Sequence, residues 1–270
     1  MPRILPPEGS NMAYTLPELP RLLDLDWEGF ILDLPFYQNL AERSEGPILE
    51  LGVGTGRAAI PLARSGLDVW GLDISEPLLE RARCNAGPDL AERFTLLTRD
   101  MRDFDLDQRF SLIFVGFGGF HHLLTPAEQV ACLRCVRRHL APDGRFVCDL
   151  RALAASDWET GESVPLLHDW TRVLPETGET VIKLRSVRAE PARQVQRELH
   201  LYDVISNEGV TRRIVNEVDL RFTTRYEMEG LLGEAGLQLD QLYGDYDLEP
   251  YNDASEYLIT IASIASKESA

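Results

Sequence analysis

The feature that most constrains the fold is a regular alternation of short β-rich runs with amphipathic segments. The runs ILELG (48–52), LDVWGLD (67–73) and SLIFVG (111–116) are separated by stretches with helical periodicity. Strands that alternate with helices of roughly 10–15 residues form βαβ units. The order therefore predicts an α/β domain on a mostly parallel sheet.

A second pattern interrupts this alternation between Asp149 and Thr224. There Ile182 and Leu184 alternate with charged residues, and Gly178 lies between two such runs. Alternation with period two is typical of antiparallel strands with one solvated face. The predicted organisation is a flexible tail at 1–12, an α/β core with an N-terminal helical segment at 13–150, an antiparallel β insertion at 151–224, completion of the core at 225–264 and a tail at 265–270.

Several local signals fix helix boundaries. Ser75 precedes Glu76-Pro77, which is a typical helix start, and Thr125-Pro126-Ala127-Glu128 matches a capping box. Before the first strand, residues 16–43 have a helical pattern that we expect to be interrupted at Pro35. Pro61 lies inside the predicted helix 55–65, where proline is tolerated only in the first turns.

Charge and cysteine content exclude several classes of function. The chain has 27 basic and 44 acidic residues, a formal net charge of −17, which disfavours binding to a nucleic-acid backbone. It has neither a leader-like start nor an apolar run of about 18 residues, so we expect a cytoplasmic protein without a membrane span.

Cys132 and Cys135 have CxxC spacing before His139, but no second ligand pair accompanies them. We therefore expect buried thiols and no metal site.

The loop after the first predicted strand is rich in glycine and must hold a ligand. Gly54-Thr55-Gly56-Arg57-Ala58-Ala59 satisfies the dinucleotide pattern, and Asp73 ends the next strand, where an acid can bind ribose hydroxyls. No Gly-Lys-Ser/Thr follows, which excludes a P-loop. Glu50 discriminates between the remaining ligands, because a carboxylate beside the loop disfavours a pyrophosphate and favours the cationic groups of S-adenosylmethionine.

The chain resembles the class I S-adenosylmethionine-dependent methyltransferases. The segments that carry the resemblance are ELGVGTGR (50–57), GLDIS (71–75), RDMRDF (99–104), SLIFVGFGGFHHLLT (111–125) and LAPDGRFVCDL (140–150). The resemblance implies a Rossmann-like, seven-stranded sheet whose last strand is antiparallel, with Asp100 and Met101 holding the adenine. The implied cofactor-binding residues are Glu50, Gly52, Gly54, Gly56, Arg57, Asp73, Ile74, Asp100, Met101 and Gly116.

The region after the fourth strand bears on the methyl acceptor. Many family members carry an Asn/Asp-Pro-Pro-Tyr motif there that binds a base or amide nitrogen, whereas this chain has Gly116-Phe117-Gly118-Gly119. With the acidic charge, this argues against DNA methylation, weakens the case for RNA and favours a small-molecule acceptor. His121 and His122 follow and are the candidate bases, because imidazole titrates near neutral pH.

Within the family, the stretch from the glycines to His-His-Leu-Leu is similar to the nucleotide-sugar N-methyltransferases. Their active-site His matches His122, and an amine nitrogen is therefore the favoured acceptor, with O- or C-methylation as alternatives. The residues expected to bind the acceptor are Tyr14, Tyr37, Arg151, Tyr202 and Tyr226. Two other classes stay open, an NAD(P)-linked oxidoreductase and a non-catalytic metabolite-binding partner protein. The insertion is interpreted as a lid or as the surface of a homodimer.

Overall fold

The structure is a computed structural model that describes residues 16–153 and 164–265. In chain order, the first part forms α1 (Leu19–Asp26), α2 (Leu34–Glu42), β1 (Ile48–Leu51), α3 (Ala59–Arg64), β2 (Val69–Asp73), α4 (Glu76–Ala86), β3 (Phe94–Thr98), β4 (Phe110–Val115), α5 (Pro126–His139) and β5 (Leu140–Arg151). The second part forms β6 (Leu167–Val173), β7 (Thr180–Glu190), β8 (Val195–Ile205), β9 (Thr211–Arg221), α6 (Arg225–Ala235), β10 (Leu237–Tyr243) and β11 (Tyr257–Ile264). Tyr14, the tail at 1–12 and residues 266–270 lie outside the described residues.

Seven strands form the main sheet in the order β10-β11-β5-β4-β1-β2-β3. β11 is antiparallel to both of its neighbours, and the other pairings are parallel. This confirms the predicted Rossmann-like sheet with one antiparallel last strand. The strand order reverses between β1 and β4, and ligands of such sheets bind at the carboxyl ends of the strands near that point.

The insertion is a separate antiparallel sheet with the order β6-β7-β8-β9. β7 and β8 pair without interruption from Thr180 opposite Ile205 to Glu190 opposite Val195. Gly178 and Gly209 lie in the turns that flank this pair, both at positive φ, where glycine carries no steric cost. The fold class predicted from the two periodicities is therefore confirmed in both parts.

The helix boundaries follow the local signals with two differences. α5 begins with the predicted capping box, in which Glu128 N donates to Thr125 Oγ1 at 3.2 Å and Thr125 N donates to Glu128 Oε2 at 3.0 Å. The N-terminal helical segment breaks after Asp26, not at Pro35, which instead lies in the first turn of α2. A missing N–H costs nothing at that position. α3 is shorter than predicted, with Pro61 as its third residue.

The two cysteines of the CxxC pair belong to the core. Cys132 and Cys135 are buried in the cluster between α5 and the sheet. The imidazole of His139 is hydrogen-bonded to the backbone at both nitrogens, with Cys135 O at 2.8 Å and Leu106 N at 2.9 Å. Residues 16–153 and 164–265 contain no group of three or more His, Cys, Asp or Glu arranged to hold a metal ion. In the same ranges, no helix is long and apolar enough to cross a bilayer.

α1 packs on the insertion through one buried carboxylate. Asp26 accepts hydrogen bonds from Trp170 Nε1 at 2.9 Å, Lys183 Nζ at 2.6 Å and Tyr202 OH at 2.7 Å. Leu22 and other leucines of α1 share an apolar cluster with the insertion sheet. The side chains of Asp26 and Lys183 are both buried, so removal of either partner leaves the other in a desolvated site without its shortest ion-pair contact.

We expect Asp26→Ala to lower the free energy of unfolding by roughly 3–5 kcal/mol, because it leaves the Lys183 ammonium buried with only Asp169 nearby. Urea titration monitored by circular dichroism measures this loss. The matched control is Glu28→Ala on the exposed segment that follows α1, which should change stability by less than about 0.5 kcal/mol. Equal effects of the two substitutions would contradict the role of Asp26.

Candidate functional site

The glycine loop lies between β1 and α3 at the carboxyl edge of the sheet. Gly56 has φ +86°, and a Cβ there would lie 2.7 Å from Ile60 Cδ1, so the tight turn into α3 requires glycine. The loop is fixed to the next strand by Asp73, whose Oδ2 accepts from Gly54 N and whose Oδ1 accepts from Ser75 N, both at 2.9 Å. Asp73 is thus held rigidly beside the loop, at the end of β2.

Glu50 is the one buried polar side chain of the described residues with an unsatisfied atom. Its Oε2 has no hydrogen-bond partner, and the side chain is buried at the end of β1. Burial raises the pKa of Glu50 to about 8, although the positive charge of Arg57 acts in the opposite direction. A buried carboxylate oxygen without a donor is costly unless a ligand supplies one.

Arg57 connects the glycine loop to the segment between α1 and α2. Its guanidinium forms a bidentate pair with the fully buried Asp33. It also lies over the Phe117 ring at 4.3 Å and the Phe30 ring at 5.4 Å, both cation–π distances. The predicted cofactor residue Arg57 is therefore engaged within the protein and holds the N-terminal segment over the loop.

The other residues predicted from the resemblance surround the loop. Ile74 is 67% exposed directly after Asp73, and Met101 Cε lies 3.5 Å from the place that a Cβ of Gly52 would occupy. Asp100 is paired with Arg102, whose Nη2 donates to Asp100 Oδ2 at 2.6 Å. Burial alone would raise the pKa of Asp100, but the hydrogen bonds from Arg102 outweigh it and hold that pKa below its usual value.

A short 3₁₀ turn after β4, Gly119–His122, positions the two candidate bases. The His121 ring is buried, with Nδ1 2.8 Å from Arg221 O and Nε2 accepting from Arg151 N at 3.3 Å. Both nitrogens are thus bonded to the backbone, and Nδ1 carries the proton in this arrangement. His121 joins β5 and β9 through these bonds, and neither of its ring nitrogens is left to act as a base in this conformation.

His122 lines a cavity of about 1030 Å³. Burial lowers the pKa of His122 to about 4, partly offset by the negative charge of Glu198. The imidazole is therefore neutral at physiological pH. The cavity lies between the carboxyl edge of the main sheet and the inner face of the insertion.

A second buried carboxylate, Asp149 at the end of β5, organises the floor of this cavity. Its Oδ1 accepts from Tyr37 OH and from Phe117 N, both at 2.7 Å, and its Oδ2 accepts from Tyr246 OH. Asp149 and Tyr246 line the cavity. Sequence reasoning missed both, although an acid at the carboxyl end of a parallel strand was an available signal. Tyr246 lies in an aperiodic loop and gave none.

The structure corrects the expectation that Tyr37, Tyr202 and Tyr226 line the acceptor pocket. Tyr37 and Tyr202 are fully buried, and their hydroxyls donate hydrogen bonds to Asp149 and Asp26. Tyr226 is 75% exposed on α6. Arg151 does line the cavity, with its guanidinium 5.2 Å from the Phe222 ring centroid and Nη2 3.3 Å from Gln196 Oε1.

Comparison with known proteins places this site in a family. Residues 48–144 match the family model described as a methyltransferase domain. The chain is 30% identical over 200 residues, 73% of this chain and 72% of the relative, to the dTDP-3-amino-3,6-dideoxy-α-D-glucopyranose N,N-dimethyltransferase of Streptomyces fradiae. It is 25% identical over 217 residues, 79% of this chain and 81% of the relative, to a cypemycin N-terminal methyltransferase of a Streptomyces species.

A solved structure is also similar over nearly the whole chain. The CcbJ methyltransferase from Streptomyces caelestis superposes with a TM-score of 0.71 at 28% identity, covering 96% of this chain and 100% of that one. The match extends beyond residues 48–144 and therefore includes the region of the insertion as well as the glycine loop.

The burial of His121 predicts a specific pH dependence of stability. Burial is the main cause that lowers its pKa to about 4 in the folded protein, against about 6.5 when unfolded. Between these two pH values the unfolded chain binds the proton on His121 more tightly than the folded protein does. The free energy of unfolding is therefore unaffected by His121 above pH 6.5 and falls as the pH drops from 6.5 towards 4. We expect His121→Gln to reduce the fall in unfolding free energy between pH 7 and pH 5 by roughly 2 kcal/mol.

Urea titrations at the two pH values measure this difference. The control is His168→Gln on the exposed edge strand β6, which should retain the wild-type pH dependence. If His121→Gln does not fold, NMR titration of the histidine rings in the wild-type protein replaces it. A His121 ring that becomes protonated near pH 6.5 in the folded protein would contradict the prediction.

Proposed function

Because the chain belongs to the class I S-adenosylmethionine-dependent methyltransferases, we propose that it methylates an amine nitrogen of a small molecule. The acceptor binds in the cavity beneath the insertion, beside His122. The observation that carries this proposal is a neutral imidazole in the wall of that cavity, at the carboxyl edge of the sheet. The names of two relatives support it, since one is an amino-sugar N,N-dimethyltransferase and the other an N-terminal methyltransferase.

The residues around the glycine loop fit the cofactor. The unsatisfied Oε2 of Glu50 would accept from its ammonium, and Asp73 would accept from the ribose hydroxyls. Ile74 and Met101 offer apolar contacts for the adenine, and Asp100 lies beside them with Arg102 as its partner. A Cβ at Gly54 would meet no heavy atom within 4 Å, so the backbone there is open to a ligand, whereas a Cβ at Gly116 would lie 3.4 Å from the Tyr37 hydroxyl. S-adenosylmethionine supplies an electrophilic methyl group on a positively charged sulfur.

The chain's own residues perform three tasks. The loop and cavity align the acceptor nitrogen with the cofactor site, and such positioning provides much of the rate acceleration. His122 takes the proton that an ammonium must lose before its nitrogen can react. Arg151 and the insertion cover the cavity, which excludes water from the reacting groups. Arg57 acts indirectly, because its pairing with Asp33 holds the segment between α1 and α2 over the loop.

Binding of the cofactor should release a proton from Glu50. The carboxyl group is largely protonated at pH 7, because burial raises its pKa to about 8. An ammonium beside it favours the ionised form and lowers that pKa. We expect titration calorimetry at pH 7, in buffers of different ionisation enthalpy, to show about one more proton released by the wild type than by Glu50→Gln. Equal proton release by both proteins would contradict the role of Glu50.

The proposed activity is tested with a panel of acceptors. The panel contains dTDP-linked 3-amino sugars and peptides with a free amino terminus, each beside its hydroxyl counterpart, and mass spectrometry detects methylation. We expect methylation of at least one amine. His122→Ala should lower the turnover of that amine by roughly 10²–10⁴-fold while the affinity for S-adenosylhomocysteine is unchanged.

Exposed His168 provides the matched control, since His168→Ala should have wild-type turnover. Methylation of the hydroxyl compounds alone would overturn the assignment to nitrogen. Wild-type turnover of an amine by His122→Ala would remove His122 from the proposed mechanism and leave the assignment to nitrogen intact.

A further inference from the structure

The insertion lines the cavity with apolar side chains such as Val218 and Leu220 and with a polar stretch on β8. Along the middle of β8 the inward side chains are Gln196, Glu198 and His200, and Asn216 lies opposite His200 on β9. A sheet face that packs only on a core carries apolar side chains. The same face of β8 does so farther along, where Tyr202 and Val204 pack on α1. The polar stretch lies where the sheet covers the cavity, which indicates that it faces a ligand.

Glu198 is the ionised acid of that stretch. It is 9% exposed, with Oε2 2.9 Å from His200 Nε2 and 3.8 Å from Arg185 Nη1. Burial would raise its pKa, but the hydrogen bond with His200 and the positive charges of Arg185 and Arg151 outweigh burial and lower that pKa. The other two buried carboxylates of the cavity, Asp26 and Asp149, each accept three hydrogen bonds that hold the fold together.

Glu198 and His122 line the same cavity, one from the insertion and one from the turn after β4. The negative charge of Glu198 reaches the His122 ring, where it opposes the effect of burial on the imidazole. A cation bound beside Glu198 would be attracted by its carboxylate and would lie in the same cavity as His122. A neutral hydroxyl gains much less from a carboxylate in a desolvated site.

We infer that Glu198 binds the ammonium form of the acceptor and positions it beside His122, so that the insertion selects amines over alcohols. This inference rests on the proposed amine methylation and names the residue that recognises the amine. In this inference Glu198 binds and orients the acceptor, and His122 receives its proton.

The test uses the full-length protein and the best amine of the panel. Glu198→Gln keeps the size of the side chain and removes its charge, and we expect the KM for the amine to rise roughly tenfold or more while kcat changes less than about threefold. Glu198→Asp should recover part of the affinity. The matched control is Glu217→Gln, on the exposed face of β9, which should have wild-type KM.

The pH profile separates recognition of charge from a structural effect. Wild-type KM should stay constant below the pKa of the acceptor amine and rise above it, and Glu198→Gln should lose this rise. With two acceptors that differ in amine pKa, the pH at which KM begins to rise should differ by the same amount. Such a shift assigns the rise to the acceptor and not to the titratable and charged groups of the protein that face Glu198. Those groups are His200 on β8, Arg185 on β7, Arg151 on β5, and His121 and His122 after β4.

The outcomes are distinct. A wild-type protein that methylates no amine contradicts the proposed function, and this inference falls with it. A wild-type protein that methylates an amine, with unchanged KM and pH profile in folded Glu198→Gln, overturns the inference alone. If Glu198→Gln does not fold, the wild-type profile decides, because a KM that is equal for both charge forms of the amine overturns it.

Discussion

Buried carboxylates must be surrounded by hydrogen-bond donors, and this requirement shapes the site because desolvation of an unpaired charge costs several kcal/mol. Asp26 accepts hydrogen bonds from side chains of the insertion, Asp33 from Arg57, and Asp149 from two tyrosine hydroxyls and a backbone amide. The donors lie far from their acceptors in the sequence, so these contacts join the N-terminal helices and the insertion to the main sheet. Glu50 keeps one oxygen without a protein partner, where the cofactor is proposed to bind.

Polar and apolar side chains both line the cavity. Apolar contacts fill the space between α1 and the insertion, whereas the central part of the roof over the cavity carries Glu198, His200 and Asn216. Asp149 and His122 are polar groups of the floor, and apolar side chains such as Trp170 and Leu220 also line the cavity. A largely apolar pocket with a few placed polar groups is typical of small-molecule sites, and the volume of about 1030 Å³ is large enough for a small molecule.

Sequence periodicity predicted the fold because each strand and helix has a local cause. The capping box at Thr125 fixed the start of α5, and alternation along β7 and β9 indicated the second sheet. The predictions that were wrong concern positions where tertiary contacts outweigh the local sequence signals. The break after Asp26 follows the docking of α1 on the insertion, and Tyr37 and Tyr202 point to distant carboxylates, which no local pattern encodes.

By itself, the sequence determined the α/β class, the glycine loop with Glu50 and Asp73, and the likeness to methyltransferases, because these depend on residues close together in the chain. The tertiary structure showed how two adjacent histidines are held. Both line the cavity, and the ring nitrogens of His121 are hydrogen-bonded to backbone groups 30 and 100 positions away. Folding also places Glu198 in the lining of this cavity, although it lies far from the glycine loop in the sequence. Hydrogen bonding and desolvation act through space, so only the folded chain shows which polar groups remain for a ligand.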